Sequence, residues 1–244
     1  VVKEVTPAPA TEPIDTPAPT LASTGTPPPP ATPVPTARIS ATGPARSAEP
    51  TVPAPSPLPL SDTAGFSVYF IDVGQGDAVL IRAPEGQTAL VDAGRSSPVT
   101  SLRALGVNEI DLLVATHPHA DHIGGMVDVI NSIPVRFYMD NGQPHTTATY
   151  QRLSATLQQR TDITYLIAEP RSISLGSVEI EVLPLLPVLS TDLNNRSVGL
   201  VVRYGDFVAF LSGDSEIEAL TFWVQGGVVP DVTVLKAPHH GSAD

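Results

Sequence analysis

Residues 63–244 are predicted to form a layered α/β fold. Short runs rich in β-branched and aromatic residues recur along them, and helix-length stretches separate the runs. The β-rich runs fall into two halves with helices between, as a sandwich of layers requires. No repeat at solenoid or propeller periods competes with this reading.

The elements follow in order. Phe66–Asp72, Ala78–Arg82 and Thr88–Val91 read as three strands, with turns at Gly74-Gln75-Gly76-Asp77 and Glu85-Gly86, which suggests a meander. Pro98–Leu105 reads as a short helix, with Pro98 where a first-turn proline is tolerated and Gly106 ending it. Ile110–Ala115 is a compact apolar strand without alternation, so both its faces should be buried. A helix is expected from Ile123 to Asn131, a strand at Val135–Met139, a helix at Thr147–Gln159 and a strand at Ile163–Ile167. Val178–Leu183 alternates with Glu179 and Glu181, as a half-exposed strand would. Val198–Tyr204 and Phe207–Leu211 flank Gly205-Asp206, a two-residue hairpin signal. Ser215–Val224 is helical, with Ser215 near its start and Gly226-Gly227 after its end, and Val232–Leu235 is the last strand.

Residues 1–62 are of another kind. Residues 1–60 hold 17 of the 27 prolines and no Phe, Tyr or Trp. With so little apolar surface to bury, such a segment cannot offset the entropy of ordering its backbone, so a disordered linker or stalk is expected. The Thr/Pro/Ala-rich composition is similar to spacers that follow a signal peptide, lipid anchor or membrane helix in envelope proteins. Any such anchor would lie upstream of Val1, because no run of about 18 apolar residues occurs within the chain. An extracellular or envelope-exposed location is expected, with a flexible linker in a cytoplasmic protein as the plainer alternative.

Charge and cysteine content narrow the chemistry. The chain has no cysteine, so any metal must be held by His and carboxylate. The net charge is −12, which opposes non-specific binding to nucleic acid. Part of that excess would be cancelled if several Asp residues face divalent cations. Dinucleotide and P-loop glycine patterns are absent, so nucleotide cofactors have no support. Lys236 and Arg196 are the cations placed to touch a substrate near the expected site, with solvated surface as the ordinary alternative for each.

The richest stretch is Thr116-His117-Pro118-His119-Ala120-Asp121-His122, directly after the apolar strand. It holds three of the chain's six histidines. His117 and His119 are two apart, so in extended backbone they leave on the same side and can grip one ion. Asp121 and His122 begin the next turn and can reach a second. Gly124-Gly125 allows a tight bend into the following helix. Imidazole and carboxylate at this density suit zinc, with manganese or iron as competitors.

His117-x-His119-x-Asp121-His122 resembles the signature of the metallo-β-lactamase superfamily, whose fold is an αββα four-layer sandwich. Phe70–Ala78, Val91-Asp92-Ala93-Gly94, Ser212-Gly213-Asp214 and Lys236–Ser242 are similar, in order and spacing, to the extracellular hydrolase domain of ComEC-type DNA-uptake proteins. The resemblance runs from about residue 66 to the end. It implies two Zn²⁺ ions, with Mn²⁺ as a substitute, bound by His117, His119, Asp121, His122, Asp214 and His239. It implies that Asp214 bridges the ions and that Asp92 supports the metal loop; a helix-start Asp and a strand-end turn are the alternatives for these two. Asp121, His239 and His240 are the implied catalytic residues: Asp121 to orient a hydroxide, the His pair to supply a proton or, with Ser242, to hold a phosphate. The roles of His239 and His240 stay open. Asp77 is expected nearer the site than Asp72, though both also suit a glycine turn.

Two departures from the family pattern matter. Many members place a further His between the signature and the bridging Asp. Here the interval holds His145, in a loop-like Asn-Gly-Gln-Pro context that reads as surface, and Asn194–Ser197 stands in the corresponding region. With Asn195 and Ser197 where others ligate, the second ion would be held more weakly. The family pattern also continues past Ser242, which implies a sandwich incomplete at the C-terminus. The expected activity is hydrolysis of a phosphodiester, DNA above all, by a dinuclear-zinc hydroxide, two cations about 3.5–4 Å apart serving both the attacking and the leaving oxygen. Hydrolysis of a small ester, lactone or β-lactam is the alternative, and a secreted binding module without turnover is a second.

Overall fold

A computed structural model describes residues 65–187 and 192–242. The linker or stalk reading of residues 1–62 lies outside the described residues. The first sheet has the order β1 (Ser67–Phe70), β2 (Val79–Arg82), β3 (Thr88–Val91), β4 (Ile110–Val114), β5 (Val135–Asp140), β6 (Thr164–Ile167). The predicted meander is its antiparallel part, β1 to β3. From β3 onward the pairs are parallel, because helices carry the chain back between strands. These are α1 (Val99–Ala104), α2 (Ala120–Ile123) with α3 (Met126–Ser132), and α4 (Ala148–Gln159).

The second sheet joins β7 (Arg171–Leu175), β8 (Val178–Val182), β9 (Leu200–Tyr204) and β10 (Phe207–Leu211) as antiparallel neighbours. After α5 (Ile217–Gln225), the short β11 (Val234–Leu235) pairs parallel with β10.

Three cores make the four layers. Ile81, Val91, Leu112 and Val114 meet Ile180, Val182, Leu200 and Leu211 between the sheets. Leu80, Leu90 and Leu113 point the other way, onto Leu102, Met126, Val129 and Leu153 of the helices. Sequence neighbours such as Leu80 and Ile81 therefore enter different cores, which is why β2 to β4 read as continuous apolar runs. Trp223 of α5 covers Val201 and Phe210 on the outer face of the second sheet. The result is an αββα sandwich.

The structure corrects several sequence expectations. The helix expected at 123–131 is two helices, α2 and α3, parted at Gly124-Gly125. Both glycines are right-handed, so close approach demands them and not an unusual turn: a Cβ on Gly124 would lie 2.5 Å from the Arg95 carbonyl oxygen, and one on Gly125 2.3 Å from that of Ala93. Strand β7 was not predicted; its polar residues at Arg171, Ser172 and Ser174 hide it, and the Gly176-Ser177 hairpin to β8 sets it. Pro98 is the residue before α1, not inside its first turn. Helix α5 starts at Ile217, two residues after Ser215.

Candidate metal centre

The site sits on one rim, where β3, β4, β10 and β11 each end and give way to loops. Asp92 follows β3 in the left-handed conformation, φ 59°, which Asp tolerates better than most residues. Its carboxylate is buried and both oxygens are engaged. Thr116 donates its backbone N–H to Oδ1 and its hydroxyl to Oδ2, each at 2.8 Å. Asp92 Oδ2 also lies 2.7 Å from His122 Nδ1. Asp92 thus ties the start of the metal loop to the ring at its end, the kind of outer support that fixes a ligating imidazole.

Asp214 follows β10 and is the point of convergence. Its Oδ2 is 2.9 Å from His122 Nε2, 3.2 Å from His240 Nε2 and 3.9 Å from His117 Nε2. His117 Nε2 in turn is 3.0 Å from His119 Nδ1. Asp121 Oδ2 is 3.7 Å from His240 Nε2 and accepts from the Gln75 amide at 3.4 Å. Of the histidines that follow β11, it is His240 whose ring enters this cluster. His239 Nδ1 lies 3.4 Å from Glu216 Oε1 instead. The divergence comes from the backbone: His239, His240 and Gly241 are all left-handed, with φ of 44°, 53° and 79°, so successive side chains fan apart.

Lys236 is buried, not a solvated surface cation. It donates to the Gly213 carbonyl at 2.8 Å, pairs with Asp77 Oδ2 and lies 3.4 Å from Asp214 Oδ1. Asp214 therefore turns one oxygen to an ammonium and the other to three imidazoles. Asp77 Oδ1 also holds His240 Nδ1 at 3.3 Å, so Asp77 and Lys236 together set two of the converging groups. Asp72, by contrast, caps its own turn by accepting from Gly74 N–H at 2.9 Å.

Asn195 and Ser197 are buried beside the cluster and support it. Asn195 Oδ1 accepts from the backbone N–H groups of Glu216 and Ala219, both at 3.2 Å, and so caps α5 from a distant loop. Ser197 Oγ accepts from Asp214 N–H at 3.2 Å and lies 3.4 Å from His117 Nδ1. Arg196 donates to the Leu186 carbonyl at 3.2 Å. Ser242 closes the turn by donating its N–H to the His239 carbonyl at 2.8 Å. His145 is half-buried, not a plain surface residue, and its ring centre stands 6.4 Å from that of His119. Thr116 carries no role in the sequence pattern beyond opening the signature loop, yet it is the residue that engages both oxygens of Asp92.

Electrostatics separates the histidines. Burial pushes His117 and His119 below the usual imidazole range, so both are neutral and available as ligands at neutral pH. Burial would push His122 down too, but Asp92 and Asp214 face its two nitrogens and hold it up at about 10. Asp214 is depressed well below the carboxylate range: burial opposes ionisation, and His122, His117 and Lys236 outweigh it.

The donors fit a divalent cation. Asp121, His122, Asp214 and His240 each offer one atom, and these lie within 4.8 Å of one another. A mixed imidazole and carboxylate set without thiolate suits zinc or manganese.

The metallo-β-lactamase superfamily pattern matches residues 71–244. Competence protein ComA of Neisseria gonorrhoeae is 29% identical over 195 residues, covering 77% of this chain and 25% of that protein. ComE operon protein 3 of Bacillus subtilis is 26% identical over 199 residues, covering 72% and 25%. The chain thus spans about a quarter of the length of either relative. A ribonuclease Z from Metallosphaera sedula is 34% identical over 76 residues, which is 28% of this chain and 26% of that one. Among solved structures, the metallo-β-lactamase fold protein YhfI of Bacillus subtilis aligns with TM-score 0.44 at 17% identity, over 70% of this chain and 68% of that one. With the αββα layers, the rim of converging His and Asp side chains and a family match over most of its length, the chain belongs to the metallo-β-lactamase superfamily.

Proposed function

We propose that this chain is a metal-dependent phosphodiesterase, acting on nucleic acid and on DNA above all. The observation that carries the proposal is the convergence of His122, His240 and His117 on Asp214 Oδ2, with His119 against His117. Two Zn²⁺, with Mn²⁺ as a substitute, would be held by these imidazoles together with Asp214 and Asp121. His117 and His119 would hold one, and Asp121, His122 and His240 the other. Such ions supply Lewis acidity and offset the charge that builds on a phosphoryl group.

The chain's own residues do the rest. Lys236 holds Asp214 from behind, so its Oδ2 stays aimed at the imidazoles. Asp77 fixes His240 through Nδ1 and presents Nε2 to the site. Asp121 is partly exposed and steadied by Gln75, which suits it to orient a water and take its proton. His239 stands at the rim beside Glu216, placed to give a proton to a departing oxygen. The ribonuclease Z relative supports a phosphodiester substrate.

The test is direct. Purified chain loaded with Zn²⁺ or Mn²⁺ should cleave single- or double-stranded DNA and bis-p-nitrophenyl phosphate. If it leaves these intact but opens nitrocefin or an acyl lactone, the small-substrate reading, which the net charge of −12 favours, replaces it. If it binds metal and turns over neither class, a binding module remains.

A further inference from the structure

Beside the metal rim, between α4 and the β5–β6 edge, lies a second cavity of about 290 Å³. Tyr138, Tyr150 and Tyr165 supply its aromatic wall, Leu153 and Leu157 its apolar floor, and Asp140 its one carboxylate. Nothing in the site described above uses it. Its volume is at the small end of ligand clefts, roughly 300–1,000 Å³, so it admits one ring system and not a folded polymer.

Its polar chemistry is specific. Asp140 Oδ1 accepts from the Tyr165 hydroxyl at 2.5 Å and from Gly142 N–H at 2.8 Å, while Oδ2 accepts from the Tyr138 hydroxyl at 3.2 Å. A carboxylate oxygen takes two donors, so Oδ2 has room for another. Burial and the Asp140 charge raise both Tyr138 and Tyr165 above the usual phenol range, which keeps the hydroxyls as donors. The rings of Tyr138 and Tyr165 are stacked, with centres 5.7 Å apart, and Tyr165 is 49% exposed, so one aromatic face is open to a visitor.

Three lining residues of the cavity also face the metal rim. Tyr138, Asp140 and Tyr150 also border a narrow crevice whose other wall is His117, Pro118 and Gln143. The buried Gln143 Oε1 there has no hydrogen-bond partner among the described residues. Ring centres step from His119 to His145 at 6.4 Å and from His145 to Tyr150 at 6.5 Å.

We infer that this cavity is the subsite for the nucleobase next to the bond being cleaved. The inference rests on the phosphodiesterase reading. A base would stack on the tyrosine wall and donate an exocyclic amino group to Asp140 Oδ2, as Asp and Glu accept from cytosine N4 elsewhere. Adenine and cytosine satisfy that acceptor. Guanine, with its N2 amino group, satisfies it too, whereas thymine and uracil have no exocyclic amino group, offer only a ring N3–H between two carbonyl oxygens, and are disfavoured.

Nucleosides without phosphate test this apart from catalysis. Adenosine, cytidine and uridine are titrated into the isotope-labelled full chain and followed by NMR. Adenosine and cytidine should shift Tyr150, Tyr165 and Leu157, and uridine should bind more weakly. Loss of one stacking face in Tyr165→Ala should weaken adenosine roughly tenfold, while Tyr165→Phe keeps most of the affinity. Shifts that map elsewhere, equal binding of all three nucleosides, or indifference to Tyr165→Ala would overturn the inference. So would binding of phenethylamine at this cavity in preference to adenosine, which would make it an amine site. Nucleoside binding without DNA cleavage would sink the phosphodiesterase reading and leave the base site standing; cleavage without nucleoside binding would do the reverse.

Discussion

A Cβ placed on Gly76 would lie 1.6 Å from the carbonyl oxygen of Asp121. The β1–β2 loop therefore touches the backbone of the metal loop directly, and Gly76 sits there with φ of 98°. Gly76→Ala combines a backbone clash with a conformation that L-residues avoid, and should cost about 2–4 kcal/mol of stability. It should also weaken metal binding, because Asp121 must move. Gly74 shares the positive φ but faces open space, so Gly74→Ala should cost only about 1 kcal/mol. Thermal unfolding of both variants, with a metal titration of each, checks the contrast.

Asn195 places its Oδ1 on the first turn of α5, the helix that begins just after Asp214. Asn195→Ala should destabilise the chain by about 1 kcal/mol. Asn195→Asp keeps an acceptor at the helix start but faces Asp192, which now accepts from the Asn195 amide at 3.1 Å, and should recover only part of the loss. If instead Asn195 were a metal ligand, Asn195→Ala would change metal content at saturation and Asn195→Asp would raise affinity. Calorimetry of unfolding and metal analysis separate the two outcomes.

His122 is protonated in the metal-free chain at neutral pH, since Asp92 and Asp214 hold it at about 10. A ligand must be neutral, so loading the site at pH 7.5 should expel about one proton from His122. His117 and His119, lowered by burial, should add none. For a raised histidine the contribution to stability is complete below its unfolded value of about 6.5 and disappears as pH rises through the folded one. The metal-free chain should therefore lose this contribution steadily as pH rises above about 6.5, and have none of it left above about pH 10. Metal titrations in buffers of different ionisation enthalpy count the protons.

His240, not His239, has its ring among the converging donors. His240→Ala should lower metal affinity by at least tenfold, the usual cost of losing a ligand or its close support. His239→Ala should leave metal content unchanged and lower turnover of substrates with poor leaving groups most. Equal metal loss in both variants would contradict this division.

The sequence made the rim legible because its parts are local. Strand ends at Val91, Val114 and Leu211 and the spacing of His117, His119, Asp121 and His122 can be read without tertiary knowledge. What stayed hidden depends on distant contacts. Lys236 reads as a surface cation until Asp77, Asp214 and Gly213 are seen around it. Asn195 stands where other members ligate, and its role as the cap of α5 shows only once that helix is placed beside it. The choice between His239 and His240 rests on three left-handed residues in a row, which a His-His-Gly sequence does not announce. Strand β7 was hidden by its serines, and the α2–α3 break by glycines that serve packing against residues 93–96 and not a turn.

The most direct measurement is anomalous X-ray diffraction from crystals of the chain soaked in Mn²⁺. A manganese peak is expected within bonding reach of Asp214 Oδ2 and His122 Nε2, and should be lost in Asp214→Asn. A well-ordered, fully soaked crystal with no peak there, or with manganese bound only at a different face, would contradict it.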